Sequence, residues 1–254
     1  MGRWWRSLLP SSQNSTVRVT FKPINEDAES FIPRPEKASS FIPEWYKAMP
    51  MHERGYDGNK ISKYTEGTSM TVKGCDPFLD TLTNGYMFSL AADVEFSLDD
   101  NGMFLPKWLV NFPLIEGQAE NQTDGMPRPY EPAKITFKWA SGWIMNTPKG
   151  YSTLFTHPLN RHDLPFRTFS GIVETDKYPL QVDFPFQALN PNNLNSVVVK
   201  KGTPICQAIP FKRESWTSKA EDPDEKQYTR ERFKHFSSID RSYRNRFWER
   251  KTFS

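Results

Sequence analysis

Alternating apolar and polar side chains predict one long strand from Tyr86 to Leu98. Every second residue of this stretch is apolar, and most of the residues between them are polar. Period-two alternation is typical of a strand with one buried and one solvated face. Asn101-Gly102 then predicts a tight hairpin turn, because this pair favours the type I′ geometry. The return strand is expected within Met103–Phe112, where Pro106 restricts it to an edge or a bulge.

Shorter strand-like runs recur along most of the chain, separated by turn residues at nearly regular spacing. This spacing favours a mainly β fold, with a single domain built as a β-sandwich, jelly roll or barrel-like arrangement. The remaining predicted strands are 16–22, 134–139, 143–146, 151–157, 170–174, 180–186, 197–200 and 205–211.

A few short helices are expected beside these strands. Pro43 predicts the start of one that contains Trp45 and Tyr46. A second is predicted over Asp76–Thr83, and Asn84-Gly85 would end it as a left-handed cap. Residues 219–225 are a charged interruption, after which a basic, aromatic and helical tail is predicted. The expected organisation is therefore an N-terminal Trp/Arg segment (1–15), a β-rich domain (16–218) and the tail (219–254).

Charge and composition narrow the function classes. The 254 residues carry a net charge of +3, too little for a dedicated nucleic-acid binder that relies on many phosphate contacts. With 21 Pro and 13 Gly, helical bundles and coiled coils are disfavoured. Two Cys cannot form a disulfide framework or a Cys-based zinc finger. No run of about 20 apolar residues predicts a transmembrane helix. We expect the chain in the cytoplasm, or in a virion if a phage encodes it.

The two ends of the chain carry candidate partner-binding residues. Residues 226–254 contain nine Lys and Arg against three Asp and Glu, with aromatic residues at helical intervals. Such a tail can pack on its own domain, contact a protein partner or a second copy, bind nucleic acid through phosphate contacts and stacking, or lie on a membrane surface. The candidate contact residues are Trp4, Trp5, Tyr243, Arg246, Phe247 and Trp248.

One polar cluster in the middle of the chain could form a binding or catalytic site. Two His and several carboxylates within about twenty residues could bind a divalent metal or a ligand if the fold brings them together. The alternative is a turn in which His and Asp side chains are hydrogen-bonded to the backbone. The candidate ligand-binding residues are His157, Asn160, Arg161, His162 and Gly171; the candidate metal ligands are His157, His162 and Asp163; the candidate catalytic carboxylates are Glu174 and Asp176.

Three blocks of sequence carry a resemblance to known families. The blocks are TPKGY (147–151), GIVETD (171–176) and KGTPICQAIPF (201–211). Together they resemble an uncharacterised family, found in bacteria and encoded by phages, that is known only as a domain of unknown function. More distantly, the same order of motifs is similar to the β-clip fold of dUTPases and dCTP deaminases.

The β-clip resemblance implies roles for four residues. Gly171 would allow close approach of the backbone to a ligand, and Gly202 would make a tight turn. Gln207 would lie where a strand closes the core, and Glu174 would take the place of the acidic residue that helps to bind the sugar and activate water. The serine-bearing phosphate motif and the Gly-rich C-terminal arm of that family are missing from this sequence.

Three functions follow as hypotheses. The first is a non-catalytic binding or structural protein, phage-encoded as a virion or accessory component, with a protein partner or a second copy. The second is an enzyme or binding protein for a nucleotide or other small phosphorylated ligand, with a divalent metal as its cofactor. The third is a nucleic-acid accessory protein that acts through residues 226–254. The absence of a complete catalytic motif favours the first hypothesis over an enzyme.

Overall fold

The structure is a computed structural model, and it describes residues 17–52, 70–118, 123, 125–126, 136–190, 192, 194–236 and 242–253. These residues form a mainly β fold with few, short helices. The strands are β1 (Thr20–Pro23), β2 (Glu36–Lys37), β3 (Tyr86–Ser89), β4 (Val94–Leu98), β5 (Phe104–Lys107), β6 (Ile115–Gly117), β7 (Phe137–Trp139), β8 (Trp143–Asn146), β9 (Tyr151–Thr156), β10 (Phe166–Thr168), β11 (Gly171–Val173), β12 (Phe184–Ala188), β13 (Ser196–Val199) and β14 (Pro204–Lys212). The α-helices are α1 (Glu26–Phe31), α2 (Glu44–Ala48), α3 (Asp76–Thr83), α4 (Glu225–Phe236) and α5 (Ser242–Arg246).

The strands are arranged in several antiparallel sheets. One sheet has the order β11-β9-β14-β3-β2, a second has the order β10-β12-β7-β6, a third has the order β13-β4-β5, and β1 pairs with β8. Strand β14 lies at the centre of the first sheet, pairing with β9 on one side and with β3 on the other. All ladders between the named strands are antiparallel, as expected for a chain with many short connections.

Aromatic side chains fill the space between the sheets. Phe88 of β3 meets Phe184 of β12 with ring centroids 4.9 Å apart, and Phe96 of β4 meets Phe186 at 6.0 Å. Trp139 of β7 is completely buried and stacks on Phe186 at 3.8 Å. The core therefore lies between facing sheets, and the predicted sandwich-like β architecture is confirmed.

The long strand predicted over Tyr86–Leu98 is wrong in one respect, because the structure divides it into β3 and β4, which belong to different sheets. Between them, Leu90 leaves the first sheet and exchanges backbone hydrogen bonds with Thr203 (2.9 Å) and Gly202 (2.8 Å). Val94 and Phe96 are buried beyond the crossing as predicted, but Leu90 and Ala91 are both buried at it, Met87 is buried in β3, and Leu98 is 38% exposed. The pattern therefore predicted burial only in part, and it missed the change of sheet.

The hairpin turn and the helix lie where they were predicted, but the type I′ geometry is wrong, because Asn101 lacks the positive φ that this turn requires. The turn instead spans Asp99–Gly102, where the amide of Gly102 donates to the carbonyl of Asp99 at 3.0 Å. Asp99 accepts hydrogen bonds from the backbone amides of Asn101 (3.0 Å) and Met103 (2.7 Å), and Gly102 has a left-handed φ of 74°. The helix predicted over Asp76–Thr83 is α3, with the same bounds. Gly85 follows it with a φ of 76°, as the left-handed cap requires.

Four elements have no counterpart among the predicted ones: α1, β2, β6 and β10. The three strands contain only two or three residues each, too few to show a period. The short helix α1 begins after Asn25, whose side-chain oxygen accepts a hydrogen bond from the amide of Ala28 at 2.8 Å. An N-cap of this kind is visible in a sequence only when an apolar period follows it, and the six residues of α1 are too few for one.

The basic helical tail is confirmed as α4 and α5. Trp4 and Trp5 lie outside the described residues, so their role as partner contacts stays a prediction. The division of the chain at residues 15 and 218 likewise stays a prediction. Within the described part of the chain, no helix has the length and apolar character needed to cross a membrane.

Candidate functional site

The turn after β9 holds His157 through the backbone. Its Nε2 lies 2.9 Å from the carbonyl of Arg161, to which it donates, and its Nδ1 accepts a hydrogen bond from the amide of Thr168 at 3.3 Å. Burial of the ring lowers the pKa of His157 below its ordinary value. The neutral ring therefore joins two parts of the backbone, the arrangement expected of a structural histidine.

The other polar residues of this turn form their own contacts. Arg161 donates two hydrogen bonds to the carboxylate of Asp163, at 2.8 and 2.9 Å. Burial opposes ionisation of Asp163, but the hydrogen bonds from Arg161 outweigh it and lower the pKa of this carboxyl. Asn160 has a left-handed φ of 59° and donates to the hydroxyl of Thr81 at 2.7 Å. His162 is exposed, and Gly171 has open space where a Cβ would lie.

Glu174 and Asp176 lie near the opposite end of β9. In the ladder of β9 with β11, Phe155 faces Gly171 and Thr153 faces Val173, so the residues after Val173 approach the start of β9. His157 follows the other end of the same strand. Five residues of an extended strand separate the two positions, which corresponds to about 16 Å. The structure thus brings the two carboxylates to a different place from the histidines.

Asp176 anchors the chain where β14 ends. Its carboxylate accepts hydrogen bonds from the amide of Gly150 at 2.8 Å and from two nitrogens of the Arg213 guanidinium. The hydrogen bonds from Arg213 hold the pKa of Asp176 far below its usual range. This ion pair fixes the first residue after β14, which is the point where the C-terminal segment leaves the β domain.

In the part of the chain that the structure describes, no group of three His, Cys, Asp or Glu side chains is arranged to hold a metal ion. The proposed metal ligands His157, His162 and Asp163 therefore form no such group. A divalent cofactor and catalytic roles for Glu174 and Asp176 stay predictions. Cys206 is completely buried, and burial raises the pKa of its thiol.

Gln207 of β14 is completely buried at the edge of the core, where the β-clip resemblance places it. Its side-chain oxygen accepts a hydrogen bond from the amide of Leu159 at 2.9 Å. Its side-chain nitrogen donates to the carbonyls of Thr81 (2.9 Å) and Asn84 (2.7 Å), which belong to the end of α3. The amide therefore ties the turn after β9 to α3. Gly202 makes the predicted tight turn with a φ of 81°.

The end of the tail packs on α3. Arg244 donates to Asp76 at 3.2 Å, while the indole of Trp248 and the ammonium of Lys251 contact Asp80 at 3.0 and 2.8 Å. A little further on, Phe253 packs edge-on against Tyr86 with centroids 6.0 Å apart. The i,i+4 spacing of the two aspartates on α3 is the one sequence signal that could have indicated this anchoring surface.

The predicted contact residues of the tail divide into two groups. Trp248 is half-buried against α3 and has the cations of Arg244 and Lys251 within 5.2 and 5.6 Å of its ring. Arg246 donates to the carbonyl of Lys234 at 2.9 Å, which joins α5 to α4. Tyr243 and Phe247 are exposed and lie 6.3 Å apart. The tail thus uses some of its aromatic residues internally and leaves others at the surface.

Between its two attachment points the C-terminal segment stands away from the β domain. We call residues 214–236 the arm. Every arm residue whose side chain is described is exposed. Trp216, Tyr228 and Phe233 are exposed to 85%, 66% and 73% respectively. Trp and Tyr are among the residues that contribute most to binding at protein interfaces, so these exposed side chains are candidate contacts with a partner.

A second surface feature is a cleft of about 500 Å³ beside β2. Phe21 and Tyr86 form its apolar floor, and the rim carries cationic and hydroxyl side chains. This cleft could not be predicted from the sequence, because β2 contains only two residues and has no periodic pattern. The rim residues are Arg34, Lys37, Ser39 and Ser40, with Glu36 between them.

The solved structures similar to this chain include phage dUTPases. A dUTPase of Staphylococcus bacteriophage 80alpha with dUpNHpp is 11% identical, with 82% of this chain and 90% of that chain covered, and a TM-score of 0.37. A mutant dUTPase from phage phi11 of S. aureus is 10% identical, with 82% and 99% covered, and a TM-score of 0.34. No protein-family model and no curated protein matches the chain. A distant dUTPase-like resemblance is thus found among solved structures. Because both TM-scores are below 0.5, the chain's own contacts carry the functional inference.

Proposed function

We propose that this chain is a non-catalytic, protein-binding component in which the β domain is a scaffold and the arm is the binding element. The observation that carries the proposal is the exposure of Trp216 and Phe233 on a segment held at both ends. Arg213 fixes the start of this segment through Asp176, and α5 fixes its end on α3. An arm tied at both ends is presented in a limited range of orientations, which reduces the entropy lost on binding.

Helix α4 itself supports the proposal. It has 12 residues, and isolated helices shorter than about 12–15 residues are marginal in water. Its strongest element–element contact is with α5, and its described side chains are exposed. A helix of this length gains most of its stability from packing of one face. A partner that covers α4 would therefore stabilise the helix as well as bury its aromatic residues.

The charges of the tail favour a protein over a nucleic acid. Arg244 and Lys251 are paired with aspartates of α3, and Lys234 contacts Glu231 at 2.7 Å. Cations engaged in this way contribute less to phosphate binding, which depends on the number of phosphates neutralised. Nucleic-acid binding through residues 226–254 stays a prediction that the experiment below also tests. A phage origin as a virion or accessory component is likewise a prediction of the sequence resemblance.

Site-specific photocrosslinking tests the proposal. A photoreactive phenylalanine analogue replaces Phe233 or Trp216 in the full chain, and Tyr178, which is exposed outside the arm, is the matched control position. We expect nuclease-resistant covalent adducts with protein from the arm positions and few from position 178. Adducts that disappear with nuclease would indicate nucleic acid instead. Equal yields from the arm and from position 178 would contradict the proposal.

A second candidate function is favoured by the cleft beside β2. An aromatic floor of Phe21 and Tyr86 suits a flat ring, and Arg34 and Lys37 on the rim suit a phosphate. The ligand class would be a nucleotide or another small phosphorylated molecule. This cleft is separate from the turn that contains His157, so the ligand contacts would differ from those predicted from the sequence.

Thermal unfolding with a panel of nucleotides tests the second candidate. A ligand present at 100 times its Kd stabilises a protein by about 2.7 kcal/mol, which corresponds to a rise in Tm of roughly 5–11 °C for a domain of this size. The rise should vanish in the double variant Arg34→Gln, Lys37→Gln and persist in the control Arg18→Gln, Lys22→Gln. No rise with any nucleotide, or an equal loss in both variants, would reject this candidate.

A further inference from the structure

An apolar groove with an acidic rim lies on the surface near the start of α1. Its volume is about 240 Å³, and Ile24, Ala28, Ile32 and Phe112 contribute its apolar wall. Asp27 lies on its rim, as does Glu116, whose carboxylate pairs with Lys138 at 2.9 Å. Helix α1 also carries Glu26 and Glu29, which do not line the groove, and it has no basic residue in its last turn. The groove therefore combines an apolar interior with an acidic helix along one side, from which the carboxylate of Asp27 faces it.

One face of α4 has the complementary chemistry. Lys226, Arg230 and Phe233 follow an i, i+4, i+7 spacing, which places them on the same side of a helix. Tyr228 lies on the opposite side, because two residues advance a helix by about 200°. The face of α4 that carries Phe233 is thus apolar towards the C-terminal end of the helix, and it carries the two cations Lys226 and Arg230 towards the N-terminal end.

We propose that α4 of one copy docks in the acidic groove of a second copy, with Phe233 in the apolar interior and Lys226 and Arg230 beside the carboxylates of α1. This inference rests on the proposed function and names the partner. Charge complementarity between the two surfaces supports it. Within one chain the groove is open and Phe233 is exposed, so the same contact made reciprocally between two copies would satisfy both surfaces.

The ends of the arm support docking between copies. The arm starts beside Asp176 and returns to α3, and both attachments are made within one chain. An arm held at both ends can present α4 outward without detaching from its own domain. Docking on a second copy therefore needs no unfolding of the β domain and no exchange of core strands.

Disulfide trapping between two differently labelled chains tests this proposal. In a Cys75→Ser background, which leaves the buried Cys206 as the remaining cysteine, a chain with Phe233→Cys is mixed with a chain carrying Ile24→Cys. The control chain carries Val198→Cys, because Ile24 and Val198 are both 46% exposed. We expect a disulfide-linked species of twice the 29.5 kDa chain mass for Ile24→Cys and little for Val198→Cys. Equal yields for the two positions would overturn the proposal.

Charge reversal with rescue gives a second measurement. Light scattering should show a complex of the wild-type chain whose dissociation constant rises at least tenfold with Asp27→Lys. The variant Lys226→Glu, Arg230→Glu should show the same loss, and mixing the two variants should restore assembly. Phe233→Ser should also weaken assembly, whereas Tyr228→Ser on the opposite face should leave it unchanged. A failure of rescue, or equal effects of the two serine variants, would reject the predicted orientation.

The photocrosslinking result separates this proposal from the general one. Adducts of position 233 with the chain itself support both statements. Adducts with other proteins and none with the chain itself would refute docking on a second copy while leaving the arm as a protein-binding element. No adducts from the arm would refute both.

Discussion

Gln207 is a polar residue in the apolar core, and its side-chain amide has three backbone hydrogen-bond partners. Its oxygen serves the turn after β9, and its nitrogen serves two carbonyls at the end of α3. A buried backbone group that loses its partner costs about 1–3 kcal/mol, whereas the net gain of one hydrogen bond is smaller. Removal of the Gln207 amide would therefore destabilise the protein mainly by leaving backbone groups without a hydrogen-bond partner, and less through the net energy of the hydrogen bonds.

We expect Gln207→Leu to lower the free energy of unfolding by about 3 kcal/mol, because three partly buried backbone groups would lose their partner. Gln181→Leu is the matched control, since the side-chain oxygen of Gln181 is buried without a hydrogen-bond partner. That change should alter the free energy of unfolding by less than about 1 kcal/mol. Urea denaturation measures both values. Similar losses in the two variants would show that Gln207 acts through its volume alone.

His157 gives the protein a pH dependence whose sign follows from burial. The pKa of His157 is lowered in the folded protein, whereas a histidine in the unfolded chain has a pKa of about 6.5. As the pH falls, this histidine therefore binds its proton in the unfolded chain first. Stability from the neutral ring is therefore complete above about pH 6.5 and is lost below it, at most by about 1.4 kcal/mol per pH unit.

In His157→Gln this dependence should be absent. Urea unfolding at pH 7.5 and pH 5.5 should show a larger fall in the free energy of unfolding for the wild-type chain than for this variant. His162→Gln changes an exposed ring and should retain the wild-type slope. A wild-type slope in His157→Gln would mean that other groups account for the pH dependence.

At the scale of the elements, Gly85 in the cap after α3 leaves no room for a side chain. A Cβ added to Gly85 would lie 2.1 Å from the carbonyl oxygen of Ala208 in β14, and the residue has a left-handed φ of 76°. Gly102 has a similar φ of 74° and no atom within 4 Å of the added Cβ. The two positions therefore separate backbone strain from steric contact.

Gly102→Ala should cost about 1–2 kcal/mol, the strain of an L-residue in the left-handed region. Gly85→Ala should cost clearly more, because α3 or β14 must also move to admit the methyl group. Thermal unfolding of both variants measures the difference. Equal losses would show that the contact with β14 relaxes at no cost.

Elements with a complete local signal were predictable from the sequence, and elements defined by distant contacts were not. The helix Asp76–Thr83 has Pro at its start and Asn84-Gly85 at its end, so its bounds were visible. The alternation over Tyr86–Leu98 predicted part of the burial, including that of Phe88 and Phe96, but could not show that the chain changes sheet there. Alternation indicates the apolar face of one strand, whereas sheet membership depends on backbone partners such as Thr203.

The candidate site was less predictable for the same reason. Because His157 and Glu174 are near each other along the chain, the sequence suggested a common site if the fold brought them together, and the register of β9 with β11 places them far apart. The anchoring of Trp248 on Asp80 joins residues 168 positions apart and has no local signature. Exposure of the arm could not be predicted either, because a basic aromatic helix has the same pattern whether it packs on its own domain or on a partner.

For the whole molecule, the arrangement implies that folding and binding are carried by different parts of the chain. The core aromatic residues, among them Phe96, Trp139 and Phe186, belong to the β domain. The tail meets that domain through exposed or partly exposed ion pairs and through Phe253 against Tyr86. Ion pairs of this kind contribute about 0–1 kcal/mol each. Removal of the tail should therefore affect assembly far more than the stability of the domain.

Deletion of residues 219–254 tests this division at the domain boundary predicted from the sequence. The shortened chain should unfold in one cooperative transition, with a free energy of unfolding lowered by no more than about 5 kcal/mol, because it loses two ion pairs, the hydrogen bond of Trp248 to Asp80 and one aromatic contact. Its mass by light scattering should be that of a single copy under conditions where the full chain assembles. Calorimetry and scattering on the same samples give both results. A shortened chain that fails to fold would show that the tail is part of the core. One that still assembles would place the binding surface within residues 1–218 and would refute the docking of α4.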